Sequence, residues 1–248
     1  MTFNFTVSPS FPNERISDWY IFNTWLQRAL SLPIHLELYD SFGAQRAAIA
    51  EGKVDIIYAN PFDASLLVRE KGFRAIARPQ GAPDEMVVIT ANESPIREIP
   101  DLQPGTRVAC SEDPSVNTVG RILLEPANLD TANTVEHRRE TYIQVARAIL
   151  RGEADVGFLP VEAFEALSSI VRRDLRVLVT SQLQVVHHVL LIGPGLIPHA
   201  EQITELLVSM HETEKGRGIL EALGARAWQA VQHEDVEFMI DIISTLTQ

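Results

Sequence analysis

Short apolar runs of two-residue period alternate along the chain with longer stretches in which apolar residues recur every three to four positions. FNFTV predicts a first strand over Phe3 to Val7. In ISDWYIFNTWLQRAL the residues Trp19, Phe22, Leu26 and Leu30 fall on one helical face. IHLELY, a helix at AQRAAIAEG and the run VDIIYA continue the series, and FRAIARP and EMVVITAN are two further strands. This is the rhythm of βαβ units on a mostly parallel sheet. The rhythm then begins afresh with TRVACSED, a helix VGRILLE, a strand TVEH, a helix YIQVARAILRG, a strand ADVGF, a helix VEAFEALSSIV and a strand LRVLVT. VVHHVLLIGPG reads as one more strand, and helices are expected at HAEQITELLVSMHETEKG, RGILEALG and VEFMIDIISTLTQ.

One device occurs twice. GKVDIIYANPFDASLL begins at Gly52, and GEADVGFLPVEAFEAL begins at Gly152, 100 residues later. Each has Gly, then two residues, then an Asp, an apolar strand, an aromatic residue, a proline and a helix. Pro61 suits the first turn of a helix, where a missing N–H costs nothing, so the junction aims polar groups past the end of the strand. The recurrence predicts two α/β lobes, with residues 1–90 and 187–248 in one and residues 91–186 inserted as the other. No low-complexity linker separates them, so the chain is expected to cross in strands, near 89–95 and 182–189.

The formal charge of −12 is spread without runs, which argues against nucleic acid or an anionic membrane as partner but leaves room for a small anion in a locally positive site. The single cysteine, Cys110, excludes an internal disulfide and any multi-cysteine metal centre, and its place in TRVAC is that of a buried strand residue. His187 and His188 are adjacent, and on a strand they point to opposite faces, so they are not expected to share a metal ion. Asp55 and Asp155 follow Gly in both repeats, as residues that start strands or bind backbone amides. No P-loop, G-x-S-x-G or H-E-x-x-H is present, and neither cofactor nor metal is expected. No stretch approaches 18 uninterrupted apolar residues, so no membrane insertion is expected. The N-terminus shows no basic segment followed by an apolar one, which predicts a cytoplasmic protein if Met1 is the native start.

Four stretches carry a resemblance: G-x-V-D-I-x-Y-x-x-P, D-P-S-x-N-T-x-G, G-x-A-D-V-G, and the ending K-G-R-G-I-L-E-A-L-G-A-R-A-W with E-D-V-E beyond it. In this order, over nearly the whole chain, they resemble the phosphonate-type substrate-binding proteins of ABC importers. That resemblance implies a type II periplasmic-binding fold, two lobes that close as a monomer on a small anionic ligand, and an ABC permease or a sensor kinase as partner. It also implies a periplasmic location, if a signal was trimmed ahead of Met1.

The same resemblance implies the site. In such proteins a hydroxyl-rich turn at a lobe-two helix start holds the oxyanion, and the matching run here is Pro114 to Gly120, with Ser115, Asn117 and Thr118 as ligand-binding candidates. The run keeps fewer hydroxyls than the family's usual Ser-Ser-Thr-Ser, so an organic acid stands beside phosphonate as ligand class. Alternatively, Ser115 only caps its helix. Thr141 and Tyr142 open the next helix where the family commonly has Ser-His, and Thr141 with Gln144 also reads as a capping box. Lobe one is expected to contribute Ser8, Tyr58, Asn60 and Phe62; Phe158 and Glu162 hold the matching places in lobe two. Arg138 and Arg139 offer positive charge nearby or form a solvated pair before a helix. The leading reading is a non-catalytic solute receptor. Cytoplasmic enzymes of the alternative menaquinone pathway, which resemble the same fold, and an excised regulatory effector domain are the competing readings.

Overall fold

The computed structural model describes residues 2–10, 15–81 and 84–246. The chain forms two compact units, Met1–Ala82 with His187–Thr245 and Pro83–Val186. Unit 1 holds β1 (Phe3–Val7), α1 (Ile16–Leu30), β2 (Ile34–Leu36), α2 (Phe42–Ala50), β3 (Ile56–Ala59), α3 (Pro61–Lys71) and β4 (Arg74–Pro79). Unit 2 holds β5 (Met86–Ala91), β6 (Arg107–Cys110), α4 (Pro114–Ile122), β7 (Val135–Arg138), α5 (Tyr142–Leu150), β8 (Val156–Pro160), α6 (Val161–Ala166), α7 (Ser169–Arg173) and β9 (Leu175–Thr180). The chain then returns to unit 1 with β10 (Val189–Ile192), α8 (Ala200–Val208), α9 (Glu214–Ala222), β11 (Trp228–Ala230) and α10 (His233–Leu246).

The two sheets share one plan. Unit 1 has the order β11-β4-β10-β3-β1-β2 and unit 2 the order β7-β6-β8-β5-β9. In each, three strands run parallel (β2, β1, β3 and β7, β6, β8), and a fourth lies antiparallel against the third. That fourth strand is β10 in unit 1 and β5 in unit 2, and each shifts register against its outer partner, between Leu190 and Leu191 and between Val88 and Ile89. The repeat in the sequence is thus a repeat of the sheet.

The glycine–aspartate device explains the parallel core. Gly52 and Gly152 both adopt positive φ, 69° and 68°, and end α2 and α5 with the same pair of bonds: Gly52 N–H to Ile49 O and Lys53 N–H to Ala48 O, against Gly152 to Ile149 and Glu153 to Ala148. Asp55 and Asp155 then each accept a backbone N–H of the neighbouring strand at 2.8 Å, from Asn4 and from Arg107. Both aspartates bind backbone amides, as the sequence suggested. Asp155 adds an ion pair with the Arg107 guanidinium at 2.6 Å.

Alternation along the strands fills the layers between sheet and helices. In unit 1 Phe5, Val7 and Ile56 pack with Trp19, Phe22 and Leu26 of α1. In unit 2 Val108, Cys110, Val156 and Phe158 meet Val116 and Val119 of α4, while Ala109 and Leu159 meet Val145 and Ile149 of α5. Gly120 lets α4 approach: a Cβ there would lie 2.4 Å from the Phe158 ring.

Several expectations are corrected. β5 pairs with β8 and β9, so residues 89–95 belong wholly to unit 2 and the first boundary falls at Ala82 and Pro83. Residues 181–188, at the second boundary, are not a strand. The helix expected over VEAFEALSSIV breaks at Leu167 and Ser168, because the Ser168 hydroxyl caps a new turn by accepting the Val171 N–H. Thr213 divides HAEQITELLVSMHETEKG by capping α9 in the same way. β11 went unread, its three residues carrying too little period to stand out. The last two residues of the expected C-terminal helix, 247 and 248, lie outside the described residues.

Gly120→Ala is expected to lower unfolding free energy by about 1–3 kcal/mol through overpacking. Gly43→Ala in α2, whose Cβ meets nothing within 4 Å, should be neutral or stabilising by up to about 1 kcal/mol. Urea denaturation of the two variants checks the contrast. A second expectation concerns acid. Burial pushes the Asp155 carboxyl up, but the hydrogen bonds and charge of Arg107 outweigh it and hold the group below its usual 3.8. A depressed pKa contributes stability above the unfolded value and loses it as pH falls through the folded one. Asp155→Asn should therefore be less stable than the natural protein at neutral pH, and the difference should shrink as pH drops below about 4, followed by thermal melts across pH.

Candidate functional site

In each unit the carboxyl ends of the first and third parallel strands lead into polar turns. Ser8 follows β1 and Ser111 follows β6 at the matching register, and both serines accept backbone N–H bonds from the residue that caps a helix.

In unit 1 that residue is Asn60. Its side-chain oxygen accepts the Asp63 N–H at 3.0 Å, its Nδ2 donates to Ser8 Oγ at 3.1 Å and to Asp63 Oδ2 at 2.6 Å, and its own N–H donates to Ser8 Oγ at 3.0 Å. Asn60, Ser8 and Asp63 are fully buried. Arg46 on α2 donates from Nε to Asp63 Oδ1 at 2.7 Å. Phe62, half-buried on α3, lies with its ring centre 5.2 Å from the Arg46 guanidinium. Tyr58 is half-buried and enclosed by aromatic rings: His188 stacks on it at 5.3 Å, Trp19 lies tilted at 5.0 Å and Trp228 edge-on at 5.9 Å. Its ring faces are taken, a constraint that the sequence did not reveal.

In unit 2 the cap of α4 is Asp113, not Ser115. One carboxylate oxygen accepts the Ser115 and Val116 N–H groups at 2.9 and 3.4 Å, and the Asn117 N–H goes to the Asp113 carbonyl at 3.1 Å. Pro114 has no N–H to offer. The first turn of α4, the expected oxyanion site, is therefore filled by the chain's own carboxylate, which also satisfies the helix dipole. The Tyr142 hydroxyl donates to the other Asp113 oxygen at 2.9 Å. Burial first, and then the Asp113 charge, push that hydroxyl well above its usual pKa, so it remains a donor. Asn117 Nδ2 donates to Ser111 O at 2.8 Å, and its buried Oδ1 has no partner among the described residues. Thr118 is half-buried, and its hydroxyl makes no hydrogen bond among the described residues.

Thr141 caps α5 by accepting the Gln144 N–H at 3.2 Å, and the Gln144 side chain returns to the Glu140 N–H at 3.2 Å, one residue short of the reciprocal box. Phe158 is corrected outright: it stands in mid-strand on the α4 face, 1 % exposed, and is core. At the place matching Asn60, unit 2 has Pro160, which caps α6 with no side-chain bond. Glu162 is exposed on that short helix. His187 contacts Arg78, while His188 contacts Ser10, so the two imidazoles take separate partners. Arg138 lies 3.6 Å from Glu136 and Arg139 2.9 Å from Glu153, an ion-paired arrangement. Burial pushes the Cys110 thiol up despite nearby arginines, which suits a core residue.

Ser111, Asp113 and Arg46 escaped the sequence reading. Asp113-Pro114 repeats the cap-then-proline signal of Asn60-Pro61 and was available. Nothing in the local sequence marks Arg46, whose partner lies 17 residues away.

Two α/β units, one inserted in the other and each ending its parallel strands in capped helices, define the type II periplasmic-binding fold of solute-binding proteins. Residues 5–236 match the family model described as ABC transporter, phosphonate, periplasmic substrate-binding protein, and the chain belongs to that family. No curated protein matches the sequence. Among solved structures, a binding protein component of an ABC phosphonate transporter from Pseudomonas aeruginosa is 16% identical with a TM-score of 0.79, over 98% of this chain and 86% of that one. PhnD1 from Prochlorococcus marinus, in complex with methylphosphonate, is 11% identical with a TM-score of 0.84, over 99% and 98%. The periplasmic aliphatic sulphonate binding protein SsuA of Escherichia coli is 15% identical with a TM-score of 0.66, over 98% and 87%. At such identities these structures share the fold. The comparisons give the menaquinone-enzyme reading no support.

Asn60→Ala removes a cap, worth about 1 kcal/mol, and leaves Ser8 and Asp63 short of a buried partner, at about 1–3 kcal/mol more. The expected sum is a loss of roughly 2–4 kcal/mol in stability. Tyr142→Phe should cost about 1–2 kcal/mol by the same logic. Urea unfolding at neutral pH measures both.

Proposed function

We propose that this protein is a solute receptor that binds a small organic oxyanion, a carboxylate or a phosphonate, without turnover and delivers it to an ABC permease. The observation that carries this reading is the family match over residues 5–236, in a chain whose strands end in buried, pre-organised polar turns. Rigid turns of this kind lower the ordering cost of binding. PhnD1 in complex with methylphosphonate and the aliphatic sulphonate binding protein SsuA, both of the same fold, support an organic oxyanion as the ligand class. The family's periplasmic description supports the same compartment for this chain.

Of the candidates, Phe62, Asn117 and Thr118 are half-buried side chains with capacity left to meet a solute, while Ser8, Asn60 and Thr141, together with Asp113, hold the turns in shape. Micromolar affinity needs about 8 kcal/mol, and one neutral hydrogen bond contributes about 0.5–1.5 kcal/mol net, so several groups must contribute.

Solute that copurifies, identified by mass spectrometry, should raise the melting temperature of the emptied protein and be recovered unchanged. Consumption beyond one equivalent would sink the receptor reading. Thr118→Ala should weaken affinity for that solute by about three- to tenfold, with stability within about 0.5 kcal/mol of the natural protein, measured by calorimetry.

A further inference from the structure

Arg46 sits on the first turns of α2 in unit 1, beside the N-terminus of α3, and its guanidinium is only partly committed. Nε donates to Asp63, and Asp63 is itself divided, its second oxygen being taken by Asn60 Nδ2. Phe62 and Phe42 rings lie 5.2 and 5.8 Å from the guanidinium carbon and hold its plane. Nη2 is buried with no partner, and among the described residues neither terminal nitrogen makes a hydrogen bond or ion pair. Asp63 is 1 % exposed whereas the Arg46 side chain is 36 % exposed, so the arginine is the open end of the pair.

An arginine stays charged at any working pH, and its donors form a rigid planar fork, so one nitrogen can stay on a carboxylate while another meets an anion. Buried donors of a charged group are seldom left unmet, and when they are, a missing ligand is one explanation to test. In unit 2 the first turn of α4 is closed to a second anion, because Asp113 has its amides and adds negative charge. The unmet positive group therefore lies in unit 1.

We propose that Arg46 is the anion anchor of unit 1, its Nη1 donating to the carboxylate or phosphonate of the solute while Nε stays on Asp63. This rests on the receptor reading above and names the residue that recognises the charge. The structural alternative is that Arg46 serves only as counterion to Asp63, and the test separates the two.

The probes are acetate, methylphosphonate and inorganic phosphate, titrated by calorimetry and thermal shift into the natural protein, Arg46→Lys, and the double variant Arg46→Gln with Asp63→Asn. Arg46→Lys keeps the charge but has a single nitrogen, which cannot hold Asp63 from one position and the solute from another. The double variant replaces the ion pair by a neutral one and so guards against misfolding, with circular dichroism as the check. The natural protein should bind at least one probe, the Lys variant about tenfold more weakly and the double variant by roughly a further tenfold. The ranking of acetate against methylphosphonate identifies the oxyanion. A Lys variant that binds as the natural protein does overturns the proposal, and so does a natural protein that answers none of the three anions. Either result leaves the receptor reading intact if copurified solute is still bound and returned unchanged, so the two failures are distinguishable.

Discussion

A helix that starts at the end of a buried strand exposes N–H groups that something must accept, and how this chain meets that requirement decides the rest of its chemistry. At α3 the acceptor is a neutral amide, Asn60; at α4 it is a carboxylate, Asp113; at α5 it is a hydroxyl, Thr141. The choice sets the charge at the carboxyl end of each sheet. An asparagine cap adds no charge of its own, so at α3 the carboxylate facing the helix dipole is that of Asp63 in the first turn, which shares itself with an arginine next door. An aspartate cap cancels the dipole and needs its own second donor, which Tyr142 supplies. Where the resemblance implied an oxyanion on the α4 amides, the chain has placed its own.

The architecture was legible because it rests on period and on repetition. Trp19, Phe22, Leu26 and Leu30 carry a helical stripe that proved buried, and the two Gly-x-x-Asp devices mark equivalent positions in two sheets of one plan. What was not legible has a common cause, that it depends on partners distant in sequence. The first unit boundary was misplaced because β5 reads equally well as the last strand of one unit or the first of the next, and only its pairing with β8 and β9 decides. β11 is too short to show a period, yet its Trp228 closes the aromatic surround of Tyr58.

The site was half legible for the same reason. Sequence position identified the turns, since polar residues at strand carboxyl ends stand out against apolar runs. It did not distinguish residues that hold a turn from residues that face outward. Asn60 and Ser8 were read as ligand contacts and are buried scaffolding, because each satisfies two or more polar groups that have no water to turn to. Phe158 was read by analogy with Tyr58, 100 residues earlier. The analogy is sound for the backbone and fails for the side chain, since Gly120 brings α4 down onto Phe158.

Such buried turns constrain how a receptor of this kind can change its ligand. Altering Asn60 or Asp113 alters the fold before it alters recognition, as each supports several buried partners. Selection for a new solute therefore acts most readily on side chains that adjoin the network without completing it. Among the described residues the Thr118 hydroxyl makes no hydrogen bond, and Arg46 contributes a single nitrogen to the network of unit 1. Both are held in place by their surroundings: Thr118 stands one turn beyond the capped start of α4, and Arg46 is fixed between Phe42, Phe62 and Asp63. The scaffold fixes where these groups stand, and their unused hydrogen-bonding capacity is what remains for recognition.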